Sequence, residues 1–586
     1  MTFPQAVRFF IDQTTQFVSP VNVAAEWVLV VLAALAVAAP KVGSGRLLAR
    51  LRDALRRFAR RKSAAIVLCG VLPMALRLSM LWFAPAPEPS IHDEFSNLLL
   101  ADTLAQGRLT NPAHPMWMHF ESIHIIQQPT YNSMYPPAQA SLLALGQVLF
   151  REPWAGVVIG VGLMCAAICW MMQGWLPPAW ALFGTLIAIL KIGVVGLWMN
   201  TYVSASAPAI GGALLLGALP RLRRKLRAGH FAVFALGLVI LMNSRPFEGA
   251  ILGSVAALCL IPALLRQFTK SPLESIKLVA PAAIVLASGV VFTGYYNYRV
   301  TGNPLRLPYQ VNRDTYGWPE NLGFLAPKKL ELRHKVLQNM YIKEVHNRDA
   351  YKTMPGAIDS IKRRVFENWT FFIGPVLTVP LLFFPWIFRS RRTRPLVIFV
   401  AVAAFVNLFQ LVLYPYHLAP LVAAIFVIVA QGTRYLYHWL SRQDGQRALR
   451  FAFLVPLCLI LVGAMKQNAV RLWLPMAYWE HAFEPHRDAR AYIQNWLTAR
   501  PGKQLVIVRY AKHHSVDQEW VYNRANIDES KVVWAREMDP VSDTRLVRYF
   551  SDREAWLLEA DIYPTRVVRW RGRTTYTPAV RETASR

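Results

Sequence analysis

Charge is what this sequence is short of. Only 17% of its 586 residues are charged, and the acids are the scarcer sign, 34 against 64 Lys and Arg. A soluble domain carries about a quarter charged residues. Cysteine is also rare. The five present (Cys69, Cys165, Cys169, Cys259 and Cys458) all fall inside apolar runs and form no CxxC spacing, which excludes a disulfide framework or a zinc site built on paired cysteines. Cys165 and Cys169 share a helix face, as small residues at helix contacts often do. There is no internal repeat and no low-complexity linker. The first residues, MTFPQAVRFFIDQTTQF, lack a charged segment followed by an apolar one and a cleavage site, so no removable signal peptide is expected.

What fills the sequence is apolar runs: 54% of residues are hydrophobic. Bounded by charges or Pro/Gly, they give about twelve candidate spans, each near the roughly 20 residues needed to cross the hydrocarbon core. They lie near 22–40, 63–83, 153–173, 179–198, 203–219, 229–243, 247–265, 278–296, 369–388, 395–413, 417–433 and 450–465, with Lys191 and Asn200 interrupting the stretch 179–219. The net charge of +30 therefore belongs to short loops and anionic headgroups rather than to nucleic acid.

The same loops set the orientation. Segment 41–62 holds nine basic residues against Asp53 alone, and 220–227, 389–394 and 434–450 are similar, so that side is expected to be cytoplasmic. The loop 84–137 then faces outward, with the loop 297–368 and everything after 466. These two are net basic, but long segments translocate largely regardless of charge.

The expected fold is mainly α: a polytopic transmembrane bundle carrying a small α/β extramembrane unit. Residues 1–62 form an extra span and a basic loop, 63–465 the main membrane domain, and 466–586 the outer unit. Within the last, 485–500 has helical spacing, 504–510, 531–538 and 554–561 look like short buried strands, and 543–550 looks helical.

The first outer loop carries the most chemistry. Asp93 and Glu94 follow directly on a span and three prolines, Pro85, Pro87 and Pro89. A carboxylate at a membrane surface can take the proton of an attacking hydroxyl. Acids also suit the first turn of a helix over 95–106, and residue types alone leave both roles open. Further on, His119, Glu121 and His124, with His114 nearby, are a candidate set for a divalent cation; hydrogen-bonded interfacial histidines are the alternative.

The order of span, His92-Asp93-Glu94, a helical LLLADTLAQGRL, Tyr135-Pro136-Pro137, LLALG and another span resembles the GT-C glycosyltransferases. Within them it is most similar to the protein O-mannosyltransferase and aminoarabinose-transferase group. The resemblance covers about 63–300 by motif and the membrane region by span order. It implies that Asp93 is the general base, with Glu94 in a supporting or metal role, and that Tyr135 opens a juxtamembrane helix beside the site. It implies a polyprenyl-phosphate sugar donor, a glycan, lipid or protein acceptor, and inversion at the anomeric carbon. Two departures stand out. Met134 and Tyr135 occupy the place of a Glu-Lys pair before Pro-Pro, leaving Glu121 as substitute acid, and an extra span precedes the usual first one.

A lipid phosphate needs a cation at the outer end of the bundle. Arg245 is the first candidate, the alternative being a snorkelling arginine paired with Glu248; Arg299, Arg306 and Arg313 are weaker ones. Tyr414, Tyr416 and His417 are expected in the interfacial aromatic belt or lining the site. The segment 509–530, rich in His, Arg and Asp, is either an acceptor contact or, as preferred here, a polar connection between strands. The expected activity is thus a membrane glycosyltransferase of the inner membrane working on its outer face. A glycan ligase or polymerase, or a transporter or lipid flippase, are the rivals. A transporter places its site near the midplane, where only Lys191 looks deep.

Overall fold

The computed structural model describes residues 20–39, 45–203, 205–317, 330–407, 414–471, 484–512, 514–562 and 565–571. Among them, five helices are long and apolar enough to cross a membrane: Lys62–Ser79, Pro153–Trp175, Pro272–Thr301, Pro415–Gln443 and Gly445–Met465. A sixth span results if Pro246–Leu258 and Ile261–Lys270, bent by 47°, act as one. The other expected spans correspond to shorter or broken apolar helices, so the count of twelve is not reached by full-length helices alone.

Two of the breaks have identifiable causes. The stretch expected at 179–198 leaves α-helix after Ala188, passes through a π turn at Ile189–Gly193 that carries Lys191, and ends in a short 3-10 turn. The stretch expected at 369–388 breaks at Gly374, whose φ of 64° is a left-handed value. A Cβ there would lie 2.7 Å from Glu26 Oε2 and 2.9 Å from Lys191 Nζ, so close approach of two buried polar groups also requires glycine. The end of the span expected at 395–413 and the start of the tail at 472–483 lie outside the described residues.

The bundle is packed through small residues. Pro153–Trp175 meets Lys62–Ser79, Pro137–Phe150 and Ser206–Arg224, and Ala228–Met242 fits between Ser206–Arg224 and Pro272–Thr301. Pro137 stands at the first turn of its helix, where its preset φ helps and its missing N–H costs nothing. The next residue's N–H donates to the Asn243 carbonyl at 2.9 Å, which brings the start of this helix beside the end of Ala228–Met242.

Among the described residues seven strands form two sheets. In the first outer loop β1 (Asn111–Pro112), β3 (Thr130–Ser133) and β2 (Ile125–Ile126) make a small antiparallel sheet in that order. In the C-terminal unit the order is β5 (Val532–Arg536), β4 (Lys503–Arg509), β6 (Arg553–Glu559), β7 (Arg566–Arg569). The first three are parallel and β7 is antiparallel. The central strand is buried on both faces through Leu505, Val506, Ile507 and Val508, which explains its unbroken apolar run. One face packs on Leu497, Trp520, Trp534 and Trp556. The other shares a single core with Leu99, Phe120, Ile125 and Tyr131 of the first outer loop.

Backbone contact is closest at Gly212, where a Cβ would lie 1.8 Å from the Pro420 carbonyl oxygen. Gly212→Ala is therefore expected to lower the apparent unfolding temperature in detergent, since overpacking a filled site costs about 1–3 kcal/mol. Gly229→Ala meets no atom within 4 Å and should leave that temperature nearly unchanged. Equal behaviour of the two variants would contradict this packing.

Candidate functional site

Asp93 lies in the first turn of the helix His92–Ala105, whose N-cap is Ile91 in extended conformation. Its side chain is 20% exposed. The Tyr135 hydroxyl donates to Asp93 Oδ1 in a short hydrogen bond. His124 Nδ1 stands 3.2 Å from the same hydroxyl and 3.8 Å from Asp93 Oδ1. With the phenol proton turned to the carboxylate, His124 Nδ1 is the donor to the phenol oxygen. Burial raises the Tyr135 phenol well above its ordinary pKa, and the Asp93 charge adds to that, so Tyr135 stays a neutral donor. Burial pushes His124 down to about 4, against the pull of Asp93, so the ring is uncharged at neutral pH.

The surrounding backbone is tightly determined. His124 has φ 64°, rare outside glycine, and its carbonyl accepts bonds from Ser96 Oγ at 2.7 Å and from the Met134 N–H at 3.1 Å. Ser96 and Ser133 hydroxyls meet at 2.7 Å, and Ser133 Oγ accepts from the Tyr135 N–H at 3.0 Å. Tyr135 is thus placed by the sheet edge on one side and Pro136-Pro137 on the other.

Arg245, between Ala228–Met242 and Pro246–Leu258, is near enough for its charge to act on the Tyr135 phenol. Its guanidinium lies 5.1 Å from the Tyr416 ring centroid. Its Nε is buried without a hydrogen-bond partner. Among the described residues no carboxylate, Glu248 included, is within ion-pair distance of it. The charges of Asp93 and Arg245 act on the Tyr135 phenol in opposite senses. His417 lies in the turn with Tyr416, and its Nδ1 accepts from the Tyr414 N–H at 3.0 Å, which leaves one ring nitrogen for other partners.

The chain course is similar to that of solved structures. The fold is similar to that of ArnT from Cupriavidus metallidurans bound to undecaprenyl phosphate, at 11% identity over 83% of this chain and 92% of that one, with a TM-score of 0.48. It is also similar to the archaeal oligosaccharyltransferase AglB from Archaeoglobus fulgidus, in complex with an inhibitory peptide and a dolichol-phosphate. There the identity is 12% over 85% of this chain and 69% of that one, with a TM-score of 0.38. No family model and no curated protein matches the sequence.

Several expected site residues are employed elsewhere. Glu121 accepts from Arg333 at 2.7 Å and from Tyr316 at 3.1 Å, with His334 3.3 Å away. Burial opposes its ionisation, but His334 and Arg333 hold it below the ordinary carboxylate value, so it is a structural anion and not a substitute acid beside Pro136. His119 Nδ1 is 3.0 Å from the Arg536 carbonyl, and His114 Nε2 is 3.0 Å from Asp528. His119, Glu121 and His124 therefore do not converge, and among the described residues no three His, Cys, Asp or Glu side chains are placed to hold a metal ion. Arg313 is buried in a two-bond pair with Glu344, at 2.6 and 2.9 Å. Arg299 contacts Tyr295 at 3.0 Å and Arg306 pairs with Asp314 at 3.0 Å, both outside the Asp93–Arg245 arrangement.

The site also contains residues that spacing does not single out. Glu367, in the helix Met354–Phe372, is a buried acid, which burial lifts to about 7 against the pull of Arg363 and Arg364; its charge acts on Tyr414. The segment 509–530 connects β4 to β5 as expected, and its Val516 and Glu519 also touch His92 and Ser90, just before Asp93 in the chain. Only the density of titratable side chains in RYAKHHSVDQEW hinted at this.

Glu94 points away from Asp93. Its Oε2 accepts from the Ser90 and Ile91 N–H groups at 2.9 and 3.4 Å, and its Oε1 from Thr201 Oγ1 at 2.8 Å and the Tyr202 N–H at 3.3 Å. All four partners are donors, so a side-chain amide would turn an N–H toward one pair. Glu94→Gln is expected to cost about 1–3 kcal/mol, read as a lower unfolding temperature, because buried donors are left unpaired. An unchanged unfolding temperature would contradict this role.

Proposed function

We propose that the chain is an inverting glycosyltransferase. It moves a hexose or pentose from a polyprenyl-phosphate donor to a hydroxyl of a glycan, lipid or protein acceptor. The observation that carries this is the half-open Asp93 carboxylate, with one oxygen fixed by Tyr135, set against the uncompensated Arg245. The basic loops at 41–62, 220–227, 389–394 and 434–450 support placing this site and the C-terminal unit on the outer face of the inner membrane.

The chemistry follows from the two charges. Asp93 Oδ2 takes the proton of the acceptor hydroxyl as that oxygen attacks the anomeric carbon. The bond from that carbon to the phosphate oxygen breaks at the same time, and the electron pair leaves with the phosphate. Arg245 stabilises the phosphate through paired N–H donors. A single displacement inverts the anomeric centre. The Tyr135 bond keeps Asp93 Oδ1 occupied, with His124 holding the phenol in turn, and leaves Oδ2 toward the acceptor. No step is routed through a metal ion.

Three variants test these roles with purified protein, a polyprenyl-phosphate sugar and release of the lipid phosphate as readout. Asp93→Asn keeps size and hydrogen bonding without basicity. It should reduce transfer by about 100- to 10,000-fold while donor binding stays intact. Near-normal transfer would remove Asp93 from the role of base. Arg245→Ala should weaken donor binding strongly, and Arg245→Lys should recover only part, since an ammonium lacks the paired donors. Unchanged donor affinity in Arg245→Ala would leave Arg245 as an interfacial anchor.

A further inference from the structure

The backbone around Asp93 is gripped from two directions. On the membrane side Glu94 ties residues 90 and 91 to Thr201 and Tyr202. On the outer side the C-terminal unit holds residues 90 and 92. His92 Nε2 donates to the Val516 carbonyl in a short bond, and the Glu519 N–H donates to the Ser90 carbonyl at 3.4 Å. His92 Nδ1 is 3.4 Å from Glu519 Oε2.

Glu519 is itself fixed on every side. Its Oε2 accepts from Arg536 Nη2 at 2.6 Å and from Ser122 Oγ at 2.8 Å. Its Oε1 accepts from the Tyr510 hydroxyl and the Val521 N–H, both at 2.8 Å. The carboxylate is 1% exposed, and Arg536, 2% exposed, also donates to the Glu121 carbonyl in the first outer loop. A buried charge with all its acceptor positions occupied has one arrangement, and whatever it touches inherits that rigidity.

The rest of the interface is of a different kind. Arg524 reaches Asp102 at 2.7 Å near the far end of the helix His92–Ala105, and its side chain is 64% exposed. It docks the same C-terminal unit on the same helix, about two and a half turns from Asp93. With the Phe95–Tyr522 ring stack and the Ala525 N–H bond to Asp102, it is one of several contacts between these elements, and one remote from Asp93.

We propose that Glu519, held by Arg536, is a positioning residue for Asp93: through His92 and the Ser90 carbonyl it aims the carboxylate at the acceptor. The C-terminal unit is then part of the catalytic apparatus. This rests on Asp93 being the base, and Asp93→Asn decides that separately.

The test compares Glu519→Gln with Arg524→Ala in the full-length protein, reading kcat, donor affinity and unfolding temperature. An ångström of misplacement costs up to about 100-fold in rate. Glu519→Gln is expected to lose about 10- to 100-fold in kcat with donor affinity unchanged. Arg524→Ala is expected to keep kcat within about twofold, since the buried Asp102 retains its bonds from Gln147 and the Ala525 N–H and lies away from Asp93. Normal kcat in Glu519→Gln overturns the proposal. So does a parallel fall of kcat in both variants that tracks their unfolding temperatures, because docking alone would then matter. If Glu519→Gln does not fold, Ser122→Ala and Tyr510→Phe each remove one bond to the same carboxylate. They should lower kcat in steps without altering donor affinity, and unaltered kcat in both overturns the proposal equally. If Asp93→Asn transfers normally, the base assignment fails first, whatever Glu519→Gln does.

Discussion

A carboxylate buried without a cation, Glu94, determines where the helix carrying Asp93 begins. Its two oxygens accept four hydrogen bonds, two from the turn before the helix and two from Thr201 and Tyr202. An anion in that position is tolerated because both of its oxygens accept from buried donors. The consequence is geometric. With residues 90, 91 and 94 fixed to the bundle, Asp93 projects to the opposite side, toward Tyr135 and His124. Adjacent acids of one chemical type thus acquire unlike tasks from the helical turn alone.

The arginines show the same separation of roles by surroundings. Arg313 is neutralised by Glu344, Arg536 by Glu519, and Arg77 donates to Asn200 and to the Ala84 and Pro85 carbonyls. Arg245 has only the face of Tyr416 and lacks a carboxylate among the described residues. A guanidinium left in that state is disposed to take an anion from outside. Lys191 differs, because it lies deep in the bundle and shares the neighbourhood of Gly374 with the Glu26 carboxylate.

Much of this is legible in the residues. Long apolar runs set by length and composition gave helices near every expected position, and the parallel strands of the C-terminal unit follow from apolar runs short enough to be strands. Asp93 and Tyr135 meet as their motifs imply, because Pro136-Pro137 stops the strand and starts a helix beside the Asp93 turn. The break at Gly374 was not legible, since it depends on the approach of Glu26 and Lys191 from elements far apart in sequence, whereas Lys191 and Asn200 already marked the interruption of 179–219. His119, Glu121 and His124 looked like one cluster by spacing. The chain reverses between them, and each turns to a different partner: the Arg536 carbonyl, Arg333 and Tyr135. Glu519 could not be found from its neighbours in the sequence, because all of its importance comes from residues brought to it by the shared core of the first outer loop and the C-terminal sheet.

The central claim is that a lipid phosphate and a base face each other across Tyr135. An experimental structure of the Asp93→Asn protein with undecaprenyl phosphate tests it most directly. The account predicts the phosphate within hydrogen-bonding reach of the Arg245 guanidinium, about 3 Å, with the Tyr135 phenol between it and residue 93. A phosphate seated instead beside Lys191, against Phe371 and Leu459, with Arg245 untouched, would contradict the account and point to a lipid-moving protein.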